Sequence, residues 1–239
     1  MSASDNNAHW LLNAYTKVLH RSCEVSGNPS MPRGAKIIAM NHTDGYDPLF
    51  LPLMMEETPY FLLQDGLFKI PVIGKMLKDS GQIVVHRGTE RAREAYDLAC
   101  QYLREGKTIA LFPEGKQSPA GVRIPAKTGT VRMALETGAP IIPLGLYVPP
   151  QNLTSLRIRF QGESRCGQWQ LSGKSYMRFG EVWDVSQSSL LADPAKVKEM
   201  TEELMNRIYR LVAEVEREVT CKPKPSFDPA FQWFMESIH

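Results

Sequence analysis

Short apolar runs alternate with amphipathic helical stretches along most of the chain, and this alternation constrains the fold more than any other feature. Amphipathic helices are predicted over residues 89–105 and Thr128–Thr137, where apolar residues recur at three- and four-residue steps. Buried strands are predicted for five runs: Lys36–Met40, Tyr60–Leu63, Gln82–Val85, Thr108–Phe112 and Ile141–Val148. Strands that alternate with helices in this way predict an α/β fold with a mainly parallel central sheet and helices on both faces.

The flanking segments extend this plan. An apolar stripe over residues 7–22 predicts an N-terminal amphipathic helix, and residues 193–219 predict a long C-terminal helix. Residues 155–181 have a strand-like composition and are expected at an edge of the sheet. The predicted division of the chain is therefore an N-terminal helix, one α/β domain and a proline-rich tail, over residues 1–25, 30–220 and 221–239.

Composition excludes several classes of function. The 239 residues carry a net charge of +2 without a long run of Lys or Arg, which argues against a nucleic-acid partner. The four cysteines show no CxxC spacing, so we expect reduced thiols in a cytosolic protein and neither a zinc site nor a disulfide framework. The sequence shows neither a secretory signal nor the roughly 18–20 apolar residues that a membrane-spanning helix needs. These features predict a cytoplasmic protein that does not cross a membrane.

The stretch NHTDGYDP, residues 41–48, follows the first predicted sheet strand and contains His42 and Asp47. On a continuous helix the two side chains would point roughly 140° apart, but a turn between a strand and a helix N-cap can bring them together. An imidazole takes up a proton near neutral pH, and a carboxylate on its other nitrogen fixes its tautomer. The spacing alone fits a catalytic pair or a capped turn, and the capped turn is the commoner of the two.

Three further stretches follow in order: GQIVVHRG (81–88), LFPEGKQSP (111–119) and APIIPLG (139–145). Each borders a predicted strand, and ligands of open α/β sheets bind outside the carboxyl ends of the strands. We therefore expect these stretches to lie beside His42.

Together the four stretches resemble the glycerolipid acyltransferase family, whose bacterial members include 1-acylglycerol-3-phosphate acyltransferase. That family carries an HxxxxD motif, a G-x-x-(F/I)-x-x-R motif, FPEGTRS and a proline-bracketed apolar motif, in this order. Their counterparts here are His42–Asp47, Gly81–Arg87, Phe112–Ser118 and Pro140–Pro143, and the likeness runs from about residue 35 to 215.

The resemblance implies acyl transfer from acyl-CoA or acyl-carrier protein, as co-substrate, to the hydroxyl of a lysophospholipid such as 1-acylglycerol-3-phosphate. His42 would remove the proton from the hydroxyl, and Asp47 would orient His42. Backbone N–H groups near the FPEG turn or the 139–145 loop would stabilise the oxyanion. Neither a cofactor, a metal nor a covalent acyl-enzyme is implied.

The resemblance also implies binding residues. Arg87, Glu114, Gly115 and Lys116 match positions that bind the acceptor, and Pro140, Ile141, Ile142 and Pro143 match an acyl or donor pocket. Taken singly, Glu114 also fits a capping carboxylate and Arg87 a surface ion pair.

The sequence departs from the family at positions that usually carry positive charge. Gln117 stands where arginine is usual, Gln64 and Asp65 stand where lysines are usual, and Lys116 replaces a threonine. A buried phosphate needs compensating charge, so a phosphate-free lipid or glycolipid alcohol is the alternative acceptor. A thioesterase and a non-enzymatic lipid-binding protein are the rival functions, and the absence of a GxSxG stretch argues against a serine hydrolase.

A lipid substrate implies contact with a membrane surface. The N-terminal stripe and residues 66–78, GLFKIPVIGKMLK, combine apolar groups with lysines, which is typical of peripheral, monotopic binding to anionic headgroups. Core packing is the alternative for residues 70–74.

Overall fold

The computed structural model describes residues 21–27, 31–43, 51–55, 57–118, 122–160, 163–186 and 193–221. The strands are β1 (Arg21–Ser26), β2 (Lys36–Met40), β3 (Tyr60–Gln64), β4 (Ile83–Val85), β5 (Thr108–Leu111), β6 (Ile141–Tyr147), β7 (Leu153–Phe160), β8 (Glu163–Gln170) and β9 (Gly173–Phe179). The α-helices are α1 (Leu51–Met54), α2 (Ile73–Asp79), α3 (Ala92–Arg104), α4 (Gly129–Thr137) and α5 (Pro194–Cys221).

A seven-stranded sheet of order β1-β9-β6-β2-β5-β3-β4 forms the centre of the described structure. Neighbouring strands run parallel except β6 and β9, which are antiparallel. The mainly parallel sheet is therefore confirmed. The strand-like region 155–181 divides, because β9 joins the central sheet whereas β7 and β8 form a separate antiparallel pair.

Alternate residues of the central strands enter two separate apolar layers, because successive side chains of a strand point to opposite faces. Ile37 and Ala39 of β2 lie in the layer formed with α3, α4 and α5. Ile38 and Met40 lie in the other layer, where Leu51 of α1 is also fully buried. The predicted helices on both faces are thus confirmed, and the continuous apolar strands are those of a sheet buried on both sides.

Glycines end two of the helices that cover the sheet. Gly106 follows α3 with φ +81°, and Gly138 follows α4 with φ +71°. A residue in this left-handed conformation carries no Cβ penalty when it is glycine, so the helices end where the sequence predicts.

Two predicted boundaries differ in the structure. Residues 21–25, the end of the predicted N-terminal helix, belong to β1 and pair in parallel with β9. The long C-terminal helix is confirmed, but α5 extends through Cys221, where the tail was expected to begin. Residues 1–20 and 222–239 lie outside the described residues, so the division of the chain stays a prediction. None of the described helices is both long and apolar enough to span a bilayer.

Candidate active site

The carboxyl ends of β2, β5 and β6 meet at one edge of the sheet. The parallel register pairs Ala39 with Leu111 and Met40 with Leu144. Asn41, which follows β2, therefore lies beside the end of β6, and Phe112 follows β5 next to it.

The side chain of Asn41 continues the pairing of β2 with β6. It is 2% exposed; its Oδ1 accepts from the Leu146 N–H at 2.8 Å, and its Nδ2 donates to the Leu146 carbonyl at 2.8 Å. An amide side chain supplies one donor and one acceptor as a peptide group does. Asn41 thereby fixes the backbone at the residue that precedes His42.

Glu114 holds the other side of this backbone. It is 2% exposed, its Oε2 accepts from the His42 N–H at 3.1 Å, and its Oε1 accepts from the Tyr209 hydroxyl of α5 at 2.6 Å. Burial and the Glu114 carboxylate raise the pKa of Tyr209 above its ordinary value, so Tyr209 remains a donor at neutral pH. Glu114, predicted to bind the acceptor, is thus bonded to the protein through both oxygens.

His42 is held on its carbonyl side as well. The Ser118 N–H donates to the His42 carbonyl at 2.8 Å, and the Ser118 hydroxyl donates to the same oxygen at 3.1 Å. The imidazole stacks on the Phe112 ring, with 4.1 Å between centroids and 20° between planes. Asp47 lies outside the described residues, so the His42–Asp47 pair stays a prediction.

Gly115 makes the FPEG turn possible. Its φ of +67° is the left-handed conformation, and a Cβ there would come within 3.3 Å of Lys127 Cε. The Lys127 N–H donates to the Pro113 carbonyl at 2.9 Å, so this lysine lies against the turn, whose Lys116 is exposed. Sequence reasoning missed Lys127, because nothing in its neighbourhood marks it before the turn is folded.

Arg87 lies at the same edge of the sheet but to one side. It follows β4, which is an edge strand three positions from β2, or about 14 Å at the usual strand spacing. The side chain is exposed. The role of Arg87 in binding the acceptor stays a prediction.

The segment Pro140–Pro143 begins at the opposite edge of the sheet and runs along β2 as far as Ala39, which pairs with Pro143. The Ile37 N–H donates to the Pro140 carbonyl, and Ile37 pairs with Ile141 at the beginning of β6. Ile141 and Ile142 are fully buried, one in each apolar layer. The expectation that residues 139–145 form a loop is wrong, because residues 141–147 form β6. Leu144 pairs with Met40 at the end of β2, and the acyl or donor pocket at Pro140–Pro143 stays a prediction.

A cavity of about 240 Å³ lies between the carboxyl end of β6 and α5. Its polar walls include Thr43, Ser118 and Tyr209, which adjoin His42 or Glu114, and Leu146 and Val212 are among its apolar walls. Asn41 and Thr43, the residues on either side of His42, line this cavity, whereas His42 itself does not. Among the residues that the structure describes, no three His, Cys, Asp or Glu side chains cluster as metal ligands would.

The chain resembles known proteins in sequence and in fold. The sequence model of the family described as Acyltransferase matches residues 22–147. The 1-acyl-sn-glycerol-3-phosphate acyltransferase of Borreliella burgdorferi is 34% identical over 125 residues, 52% of this chain and 50% of the relative. The enzyme of the same name from Neisseria gonorrhoeae is 26% identical over 119 residues, 49% of this chain and 46% of the relative. The chain thus spans about half the length of the curated relatives that it matches.

The fold also matches a solved structure. The crystal structure of the 1-acyl-sn-glycerophosphate (LPA) acyltransferase PlsC from Thermotoga maritima superposes with a TM-score of 0.66 at 20% identity. The match covers 92% of this chain and 81% of that one. At this identity the likeness establishes the fold.

Proposed function

Because this chain belongs to the acyltransferase family, we propose that it transfers a fatty acyl group from a thioester to the hydroxyl of a lysophospholipid. The donor is acyl-CoA or acyl-carrier protein. The acceptor is 1-acylglycerol-3-phosphate and the product phosphatidic acid, an assignment supported by the names of the relatives.

One observation carries this proposal. Two groups of the stretch Phe112–Ser118, the Glu114 carboxylate and Ser118, bond the N–H and the carbonyl of His42, which is far from them in the sequence. A general base must be held within hydrogen-bond reach of the proton it takes, and a backbone fixed on both sides limits where an imidazole can lie. The cavity lined by Asn41, Thr43 and Ser118 adjoins this backbone and supports a substrate site next to it.

The reaction then proceeds in balanced steps. The imidazole of His42 takes the proton of the acceptor hydroxyl, and the oxygen attacks the thioester carbonyl to form the new C–O bond. The tetrahedral intermediate collapses, the C–S bond breaks, and the thiolate takes the proton from the imidazolium. Asp47 stabilises the imidazolium between the two transfers. These steps need no covalent acyl-enzyme and no metal.

The charges near the FPEG turn bear on the acceptor. Lys116 and Lys127 adjoin the turn and offer ammonium groups to a phosphate, and Arg87 lies further along the same edge. A phosphate-free lipid alcohol is the second candidate acceptor, and the observation that favours it is Gln117, whose amide replaces a charged group and bonds to protein.

A lipid surface is the expected partner. Core packing, the alternative for residues 70–74, is wrong for Val72 and Ile73, which are 76% and 46% exposed, whereas Gly74 is buried. Lys69 and Lys75 flank them, paired with Asp65 and Asp79. Exposed apolar groups between lysines support a peripheral, monotopic contact on the cytoplasmic side. Replacing Ile73 by Glu should reduce sedimentation with anionic vesicles, and unchanged sedimentation would contradict this contact.

Release of thiol from acyl-CoA tests the reaction. We expect release that depends on added lysophosphatidate, with phosphatidic acid as the lipid product. Release without an acceptor would indicate a thioesterase, and no release with either donor would indicate a binding protein. If the protein used only a neutral monoacyl lipid, the proposed acceptor would be wrong, while acyl transfer as the reaction would stand.

A further inference from the structure

Gln117 uses its side chain to join three segments of the chain. Its Nε2 donates to the Thr43 carbonyl at 2.9 Å and to the Gln168 carbonyl of β8 at 2.6 Å. Its Oε1 accepts from the Gln168 N–H at 3.2 Å. Because one donor nitrogen serves both carbonyls, β8 lies directly beside the residue that follows His42.

Only an amide fits this contact. It bonds the Gln168 backbone in both directions, as a neighbouring strand would, and an arginine could not accept from the Gln168 N–H because a guanidinium has no acceptor. The hairpin is shaped to match, since a Cβ on Gly167 would lie 2.8 Å from Gln117 Oε1.

The contact seats an element that stands apart from the central sheet. β7 and β8 pair only with each other among the described strands, and the chain enters β7 soon after β6 and leaves β8 for β9. The Gln168 side chain donates to Ser155 within this hairpin at 2.9 Å. An element joined to the sheet only through its two ends needs further contacts to fix its position, and Gln117 supplies one next to Thr43.

We propose that the β7–β8 hairpin forms one wall of the acceptor site and that Gln117 is the positioning residue that seats it. Gln117 follows Glu114, Gly115 and Lys116, the positions that the family resemblance assigns to the acceptor, and its bond to Thr43 places the hairpin beside His42. The residue thus acts on acceptor binding through the hairpin and carries no charge to the ligand. This proposal rests on the acyl transfer proposed above.

Replacement of Gln117 by Met, which keeps the length and removes the hydrogen bonds, tests the seat. We expect the rate of amide hydrogen exchange in β8 to rise about tenfold, because the loss of such hydrogen bonds shifts the equilibrium for local opening by about a factor of ten. The KM for the acceptor should rise by about the same factor, with kcat and the donor KM within about twofold. Gln101→Met on α3, whose amide bonds Glu105 on the surface, is the matched control and should change none of these.

Two further variants separate seating from charge. Gly167→Ala pushes on the same contact from the hairpin and should raise the acceptor KM as Gln117→Met does; the double variant should add little. Gln117→Arg restores a cation but removes the acceptor for the Gln168 N–H, so it should also raise β8 exchange and the acceptor KM.

Three results would contradict the proposal or the reaction on which it rests. An acceptor KM lower in Gln117→Arg than in the unaltered protein would overturn the proposal, because the position would then act by charge. Unchanged β8 exchange or an unchanged acceptor KM in both Gln117→Met and Gly167→Ala would overturn it as well. Failure of the unaltered protein to transfer acyl groups would instead overturn the reaction on which the proposal rests, and is measured first.

Discussion

Buried polar groups lie at both edges of the central sheet, but they form different contacts at the two edges. At the amino edge, Lys36 is 3% exposed, and its ammonium donates to Glu57 at 2.7 Å while Thr108 donates to the same carboxylate at 3.2 Å. At the carboxyl edge, Glu114 is equally buried, but it accepts from the backbone of His42.

The difference lies in what the polar groups hold. The amino-edge contacts join the starts of β2 and β5 to a surface carboxylate, so their loss affects the stability of the sheet. The carboxyl-edge contacts converge on one residue, His42, so their loss would also move the side chain that we propose as the general base. At the carboxyl edge the hydrogen bonds converge on a single half-buried residue, and burial of the polar groups alone does not distinguish the two edges.

The largest effect is expected at the carboxyl edge from His42→Ala. Loss of a general base should lower kcat/KM by about 10²- to 10⁴-fold, with the melting temperature little changed because the imidazole is only half-buried. Acceptor-dependent thiol release measures the rate. Activity within about tenfold of the unaltered protein would show that His42 is not the base.

In the middle of the sheet, where Ile142 pairs with Ile38, Ile142→Ala should act on stability alone. Removal of a fully buried isoleucine leaves a cavity in the core and should lower the free energy of unfolding by about 2–5 kcal/mol, measured by denaturant titration. The acyl-chain preference should stay as it is, since Ile142 lies in the apolar layer with α1. A changed chain-length profile with unchanged stability would support the predicted acyl pocket at Pro140–Pro143.

Asn41→Ala should affect both stability and activity. The buried N–H and carbonyl of Leu146 lose this partner, which should lower the free energy of unfolding by about 1–3 kcal/mol. The backbone before His42 also loses the contact that holds it. Asn152→Ala, which removes an amide bonded to the Lys174 carbonyl, is the matched control. It should lower the free energy of unfolding by less than Asn41→Ala does. Equal losses of unfolding free energy in the two variants would contradict the role given to Asn41.

Tyr209→Phe removes one hydroxyl from Glu114 and should lower kcat/KM several-fold, because the carboxylate that holds His42 loses a bond worth about 1 kcal/mol. Tyr96→Phe is its counterpart away from the site, since the Tyr96 hydroxyl donates to Glu136 at 3.0 Å. Measurement of kcat/KM for both variants tests whether Tyr209 acts through Glu114. A similar loss of activity in Tyr96→Phe would mean that the effect is general and not transmitted through Glu114.

The smallest effect is expected from acid at the amino edge. The hydrogen bond from Lys36 is the main cause that lowers the pKa of Glu57 below its ordinary value of 4.5. A lowered pKa gives stability that is present above pH 4.5 and is lost as the pH falls through the folded-state pKa. The unaltered protein should therefore exceed Glu57→Gln in stability near neutral pH and approach it below about pH 4. Thermal unfolding of both proteins measures the difference in stability, and a difference that stays constant across this pH range would contradict the lowered pKa of Glu57.

Much of the fold follows from local patterns. Strand and helix positions were predictable from periodicity, and the helix ends from Gly106 and Gly138, because these depend on residues close in sequence. The positions of β1 and of Pro140–Pro143 were not, since both depend on pairing with strands far away in the chain. Lys127 and Tyr209 were likewise missed, because only the folded chain brings them to Gly115 and Glu114.

The sequence by itself determined the family, the parallel sheet and the stretch in which His42 lies, because apolar periodicity and motif order are local properties. The tertiary structure alone decided that Glu114 holds the His42 backbone, that Gln117 bonds to β8, and that the cavity lies at the end of β6. These are contacts between distant segments, and the register of a parallel sheet, which no single segment encodes, sets which edge each of them occupies.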